Sequence, residues 1–271
     1  KRLEYRGYDS AGIAVLVENG AIAIRRDVGK LKNLETMLAD SPLKGEIGIG
    51  HTRWATHGEP SQRNAHPHVA MNERVVVVHN GIVENYQTLR HELEAEGIEF
   101  RSDTDTEVIV QLLERDVESG LSLVEAARNT FDQLEGSNAV VAMSVAEPDR
   151  LVTTRLGNAG GITLGLGEGE MFIASDIPAI LEYTRDMIFL ENRQMAVVTR
   201  DGYEVMTLSG EPLSPVVHAI SWDPVSAVKG EYKHFMQKEI FEQPRALIDT
   251  LSGRVDFEEA TIHLPEMNLT P

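Results

Sequence analysis

Residues 74–81 read RVVVVHNG. Val75 to Val78 form an unbroken β-branched run, the pattern of a strand covered on both faces. Taken alone, Asn80-Gly81 predicts a hairpin turn. The residues that follow do not return as a strand. Ile82, Val83, Tyr86, Leu89 and Leu93 fall at helical spacing, and Gly97 is placed to stop the helix. A central strand that ends in Asn-Gly and hands over to a helix holds an amide side chain and a glycine N–H at its tip. Such a pair can donate to a developing oxyanion.

Upstream, GIAVLVENGAIAIRR (12–26) reads as a hairpin about a type I′ turn at Asn19-Gly20. Residues 30–39 read as a short helix ending near Asp40, and EIGIG (46–50) as a strand. It delivers the chain to HTRWATHGEP (51–60), which has no helical or strand period and reads as irregular. Downstream, Thr104 and Glu107 form the pattern of a capping box, opening a helix with Val108, Ile109, Leu112 and Leu113 on its apolar face. A further helix is predicted near 121–134. From Ala139 the chain turns to strands: AVVAMSV, LVTTRL, GITLGL, MFIAS, MIFLE, QMAVVT and YEVMTL, with Ser175-Asp176 capping a short helix among them. The glycines between 157 and 169 lack G-x-G-x-x-G spacing and precede a strand, so they read as turns. Strands and helices mix without strict alternation, which predicts an α+β layered fold rather than a doubly wound parallel sheet.

Three prolines and weak periodicity mark 209–230. The predicted domain boundary falls at 215, with a linker over 216–230. After it, YKHFMQKEIFEQPRALIDTL (232–251) is helical, with Pro244 expected to kink or interrupt it. Residues 231–271 are too few for a core and read as the start of a further domain.

The formal net charge is −18, which disfavours nucleic acid and anionic membranes as partners. No apolar run approaches the roughly 20 residues of a membrane span. The opening KRLEYRGYDSAG has neither an initiator Met nor a signal-peptide core, so the chain reads as a cytoplasmic protein's fragment that starts partway into a domain. Cysteine is absent, which excludes disulfides, thiolate metal sites and a cysteine nucleophile within these 271 residues.

Five of the nine histidines (His51, His57, His66, His68 and His79) crowd one stretch. They lack an H-E-x-x-H helix and an intervening Asp, so hydrogen-bonded histidines ordering a loop is the preferred reading over zinc. Arg53 has the planar donor fork that suits an α-carboxylate, and Asp105 suits an α-ammonium. Together they would clamp a free amino acid by its two charged ends. Each also has a bland reading: Arg53 in a surface ion pair, Trp54 in the core, Asp105 at a helix dipole.

The segments EYRGYDSAG (4–12), HTRWATHGEP with NAHPH (64–68), HNGIVEN (79–85), SDTDTEV (102–108) and KGEYKHFMQKEIFEQP (229–244) closely resemble the isomerizing glutamine–fructose-6-phosphate aminotransferase family. The match runs in order along nearly the whole chain. The resemblance implies a four-layer αββα N-terminal nucleophile hydrolase sandwich, the class II glutamine amidotransferase fold, with residues 1–215 as the glutaminase domain. It implies glutamine as nitrogen donor, with Arg53 on its α-carboxylate, Asp105 on its α-ammonium, and Thr56 and His57 lining the same pocket. Asn80 and Gly81 would form the oxyanion hole, and Trp54 would gate ammonia passage. His66 lies in a family motif without an assigned role.

The family's nucleophilic cysteine, first strand and first helix would lie upstream of Lys1, and the sugar-isomerising domain that binds fructose 6-phosphate would continue past residue 271. No cofactor or metal is implied, and the complete protein would be a homo-oligomer yielding glucosamine 6-phosphate. The fragment alone is expected to be inert. GNAGG (157–161) departs from the family's Gly-Ser-Pro-Leu. Two other readings stay open: a glutamine sensor that lost its nucleophile, and an amidotransferase with another acceptor.

Overall fold

The computed structural model describes residues 1–158, 160–221, 232, 234–251, 254–256 and 261–262. They fall into two compact units, Lys1–Ser221 and Trp222–Pro271. In chain order the first unit holds β1 (Ser10–Leu16), β2 (Ile22–Val28), α1 (Leu31–Asp40), β3 (Ile47–Arg53), β4 (His68–Val69) and β5 (Val75–Gly81). Three helices follow: α2 (Tyr86–Ala95), α3 (Thr106–Glu118) and α4 (Leu123–Gln133). Then come β6 (Asn138–Ser144), β7 (Glu147–Leu156), β8 (Thr163–Leu166), β9 (Met171–Ala174), β10 (Asp186–Phe189), β11 (Gln194–Thr199), β12 (Tyr203–Thr207), β13 (Pro212–Leu213) and β14 (His218–Ala219). The second unit holds α5 (Phe235–Leu251) and the pair β15 (Val255–Asp256) and β16 (Thr261–Ile262).

A seven-stranded antiparallel sheet, ordered β13-β12-β11-β7-β6-β5-β4, forms the central layer of the first unit. The valine run of β5 shows why it is buried throughout. Val75 and Val77 face α2–α4 and pack in one core with Leu93, Ile109, Leu112 and Phe131. Val76 and Val78 point the other way, against Ala14, Leu16 and Ile49 of β1 and β3. Toward the other end of the same sheet face, Ala196, Val198 and Val205 pack on Ile162, Leu164, Ile188 and Leu190. The second sheet layer is therefore made of two small sheets, β2-β1-β3 and β14-β10-β8-β9. α1 and a short 3-10 turn (Ile177–Ala179) cover that layer's outer side.

Between the two small sheets runs a groove of about 510 Å³. β3 contributes Gly48 to Thr52 to one wall, β9 contributes Met171 to Ala174 to the other, and Val78 and Val141 lie on its floor. Both β3 and β9 are edge strands, paired on one side only.

Several local expectations change. The turn after β1 is not type I′: Gly20 alone takes a positive φ (+80°), Gly20 N–H donates to Val17 O, and Ala21 N–H is held by the Asn19 side chain. That is a β-turn over residues 17–20 ending on a left-handed glycine. His51–Arg53 extend β3 instead of starting the irregular loop. The α2 helix begins at Tyr86, because Ile82 and Glu84 first donate to Ser137 and Glu135 carbonyls and so prolong the sheet. Thr104 does not cap α3. Its hydroxyl meets His68 and Ser102, Asp105 takes the N-cap position, and Glu107 accepts from Arg101 and Ser102 N–H instead. A true capping box opens α4, with Ser122 and Glu125 reciprocally bonded.

Asp176 bonds Ile177 N–H ahead of the short turn. β14 pairs with β10 inside the stretch expected to be linker, and the first unit runs to Ser221, past the expected boundary at 215. α5 contains Pro244 without interruption of the helix. Most of the expected linker and the chain's last residues lie outside the described residues. Among the described residues, no helix is long and apolar enough to cross a membrane.

Candidate active site

Three element ends meet at one place. Arg53 closes β3, Asn80-Gly81 closes β5, and Asp105 precedes α3. Arg53, Trp54, Thr56, Asn80, Gly81 and Asp105 all line a single cavity of about 130 Å³, the scale of one small molecule.

The Arg53 guanidinium is almost fully buried, and its nitrogens divide the work. Nη2 donates to the carbonyls of His57 and Gly58, which curls the following loop around it. Nη1 is closed off from solvent and has no partner. Burial weakens the hold of Arg53 on its proton, and the charge of Asp105 works against that loss. An arginine titrates so far above neutrality that it stays a cation here. Asp105, likewise buried, accepts the Val83 N–H at Oδ2 over 2.8 Å. That bond ties the carboxylate to the segment leaving β5.

Asn80 Oδ1 lies 2.8 Å from His51 Nε2. Gly81 has φ +136°, and a Cβ built there would stand 2.1 Å from the Ser137 carbonyl oxygen, so no larger residue fits. Thr56 is exposed at the cavity lining. The His57 ring does not line the cavity; it sits edge-on to Tyr86 at 5.4 Å, and His57 serves the site through its carbonyl on Arg53. Trp54 stands 61% exposed beside Tyr8, ring centroids 5.6 Å apart, where an indole can move without unpacking a core.

Four of the histidines form a polar network under this site. Asn138 Nδ2 donates to the Glu135 carbonyl, so its Oδ1 accepts from His79 Nε2 at 2.9 Å. His79 Nδ1 is then an acceptor and takes the Thr106 hydroxyl at 2.9 Å. The Thr106 oxygen in turn accepts from His66 Nε2 at 3.1 Å. In that order of donors, His79 and His66 both donate through Nε2. Burial pushes the pKa of His51 down to about 4. Burial first holds His66 and His68 well below the usual histidine range; neighbouring imidazoles add to the effect at His66, and Arg26 and Arg53 at His68. His79 is lowered by burial too, against the opposing pull of Asp105. Among the described residues, no three ligand-type side chains are grouped to hold a metal ion.

Three further residues frame the site. Asn64, fully buried, donates to the Glu59 carbonyl and accepts from Asp103 N–H. Asp9 accepts from Ala55 N–H at 2.8 Å. Glu107, 1% exposed, gathers two N–H groups and a hydroxyl from residues 101–102. Of these, only Glu107 had a signal, and it was the wrong one, a capping box.

A model of the glutamine amidotransferase domain matches residues 51–182, a span that holds Arg53, Trp54, Thr56, His57, Asn80, Gly81 and Asp105. A relative from Symbiobacterium thermophilum, named glutamine–fructose-6-phosphate aminotransferase [isomerizing], is 49% identical over 270 residues. That alignment covers 100% of this chain and 44% of the relative. The chain belongs to the glutamine amidotransferase family. A relative of the same name from Aquifex aeolicus is 48% identical over 96% of the chain and 43% of its own length. This amidotransferase chain thus spans less than half the length of the curated relatives it matches. Among solved structures, the glutamine phosphoribosylpyrophosphate amidotransferase from B. subtilis superposes with a TM-score of 0.65 at 24% identity, over 78% of this chain and 45% of that one. The enzyme described as the allosteric regulatory enzyme of purine biosynthesis gives 0.67 at 23%, over 76% and 44%. The fold is the four-layer αββα sandwich of class II amidotransferases, an N-terminal nucleophile hydrolase arrangement. In this amidotransferase chain, a buried guanidinium side chain, a buried carboxylate and a strand-end amide line one small polar cavity.

Proposed function

We propose that this chain is the glutamine-gripping part of a glutamine–fructose-6-phosphate aminotransferase. The observation that carries the reading is the shared cavity: Arg53 and Asp105 line it with opposite charges, and Asn80-Gly81 stands beside them. A zwitterionic amino acid needs such a pair of poles. The Arg53 guanidinium takes the glutamine α-carboxylate, and Asp105 takes the α-ammonium. Thr56 and the loop of His57 close around the substrate, and Asn80 Nδ2 with Gly81 N–H holds the oxyanion. Trp54 gates the ammonia that leaves.

The chemistry needs a thiolate, and these residues contain no cysteine. The reading takes it from an upstream strand seated in the groove between β3 and β9, whose unpaired edges could hydrogen-bond a strand on both sides. The groove shares His51, Thr52 and Asn80 with the small cavity, so a strand end there reaches the site. The thiolate sulfur bonds to the side-chain amide carbon, and the carbonyl electrons move onto oxygen. As the carbonyl re-forms, the C–N bond breaks and ammonia departs with the proton relayed by the nucleophile's α-amine. Water then cleaves the thioester to glutamate. The ammonia condenses with fructose 6-phosphate, bound by a further domain, and isomerisation gives glucosamine 6-phosphate.

The full-length protein incubated with glutamine and fructose 6-phosphate tests this directly. Equimolar glutamate and glucosamine 6-phosphate are expected. Glutamate without the amino sugar would move the acceptor elsewhere. Glutamine binding with no glutamate formed would make the domain a sensor.

A further inference from the structure

The oxyanion donor is held across two layers of the fold. Asn80 belongs to β5 in the large sheet, and His51 to β3 in the small one. A 2.8 Å bond between His51 Nε2 and Asn80 Oδ1 links them. A carbonyl oxygen can only accept, so the imidazole must donate and carry its proton on Nε2. His51 Nδ1 fits that tautomer, since it is shut away from solvent with no partner, where a bare lone pair is less costly than an orphaned N–H. The ring is held in plane by stacking on His66, with centroids 4.4 Å apart at 30°. With Oδ1 engaged, the Asn80 amide has one orientation. Its Nδ2 hydrogens have no protein partner among the described residues, and Asn80 lines the cavity beside Asp105 and Gly81.

We propose that His51 is a positioning residue for glutamine hydrolysis, locking the Asn80 carboxamide with its Nδ2 donors turned toward the substrate amide and polarising them. The proposal rests on the reading of Asn80 as an oxyanion donor. A carboxamide free to rotate would present its oxygen to the developing negative charge half of the time. It would also have to reorganise during the reaction, which a preorganised donor avoids. A donor whose own acceptor end is hydrogen-bonded also donates more strongly.

The test is a double-mutant cycle on glutamine hydrolysis by the full-length enzyme, with far-UV circular dichroism to confirm folding. Asn80→Ala should slow kcat by about 10²–10³-fold, the usual cost of one oxyanion donor. His51→Phe should slow it roughly tenfold, with KM for glutamine changed by less than about threefold. Because His51 acts through Asn80, adding His51→Phe to Asn80→Ala should slow the enzyme by less than about twofold more. His51→Gln keeps an N–H donor and should restore most of the turnover. If His51→Phe does not fold, His51→Met makes the same comparison. Additive losses, a rise in KM in place of a fall in kcat, or a His51→Gln enzyme as slow as His51→Phe would overturn the proposal. An unchanged Asn80→Ala enzyme would instead overturn the underlying reading of the oxyanion site.

Discussion

Arg53 spends one guanidinium nitrogen on the carbonyls of His57 and Gly58, and its side chain also lines the cavity. Removing the side chain should therefore act on substrate binding above all. Each charge-assisted hydrogen bond contributes about 1.5–3 kcal/mol. Arg53→Ala should raise KM for glutamine by about ten- to a hundredfold while kcat stays within about threefold. Steady-state glutaminase kinetics on the full-length enzyme check this, and an unchanged glutamine dependence would remove Arg53 from its role. Asp105 separates its two tasks more cleanly. Asp105→Asn keeps an oxygen for the buried Val83 N–H but loses the charge, so KM should rise with little change in the urea midpoint. Asp105→Ala also orphans that N–H, and should lose about 1–3 kcal/mol of stability as well. Equal stability of the two variants would mean that the Val83 bond contributes nothing. In the sequence these residues were legible by chemical type alone. Their convergence lay in the resemblance and in the folded cavity, because residues 53, 80 and 105 share no local period.

At the scale of the element, the tip of β5 is the most constrained point of the site. Gly81 combines a positive φ with a backbone oxygen where a Cβ would sit. Gly81→Ala should cost about 2 kcal/mol or more, since a left-handed backbone alone costs on the order of 1–3 kcal/mol and the clash adds to it. Urea unfolding followed by tryptophan fluorescence would measure it, and a variant as stable as wild type would mean that the β5–β6 end relaxes freely. The long elements could be read directly. β5 gave itself away by its valines, and α3 and α4 by apolar faces that pack on it. The ends were harder. Thr104 and Glu107 looked like a cap, yet both side chains have buried partners elsewhere, and tertiary demand outweighed the local pattern. β4, β13 and β14 are two residues each, too short for any alternation to register. Asn64 and Asp9 give no periodic signal either, since single polar residues that brace a loop look like any loop residue.

Across the whole first unit, polar contacts of four histidines join layers that also meet through apolar packing. His51 comes from β3, His79 from β5, His66 from the segment entering β4, His68 from β4 itself, and Thr106 from α3. All four rings are held neutral, with pKa values lowered by burial and His51 at about 4. The consequence for stability follows from proton linkage. The unfolded chain binds a proton at each ring near the ordinary pKa of about 6.5, while the folded chain refuses it until the lower folded value is reached. Between those limits the unfolded state binds more protons, so stability is full above about pH 6.5 and falls as the pH drops toward the folded pKa. Each such histidine contributes a slope of about 1.4 kcal/mol per pH unit in that window. Ordinary carboxylates titrate mostly below pH 5, so the interval from 6.5 to 5 isolates the imidazoles. The urea midpoint should therefore fall steadily from pH 7 to pH 5. His68→Gln should flatten that slope by about one histidine's share, because His68 is 3% exposed and bonds only through one ring nitrogen to Thr104 among the contacts described. A midpoint independent of pH across this interval would mean that the rings accept protons inside the fold, and the assignment of one proton per ring would fail with it.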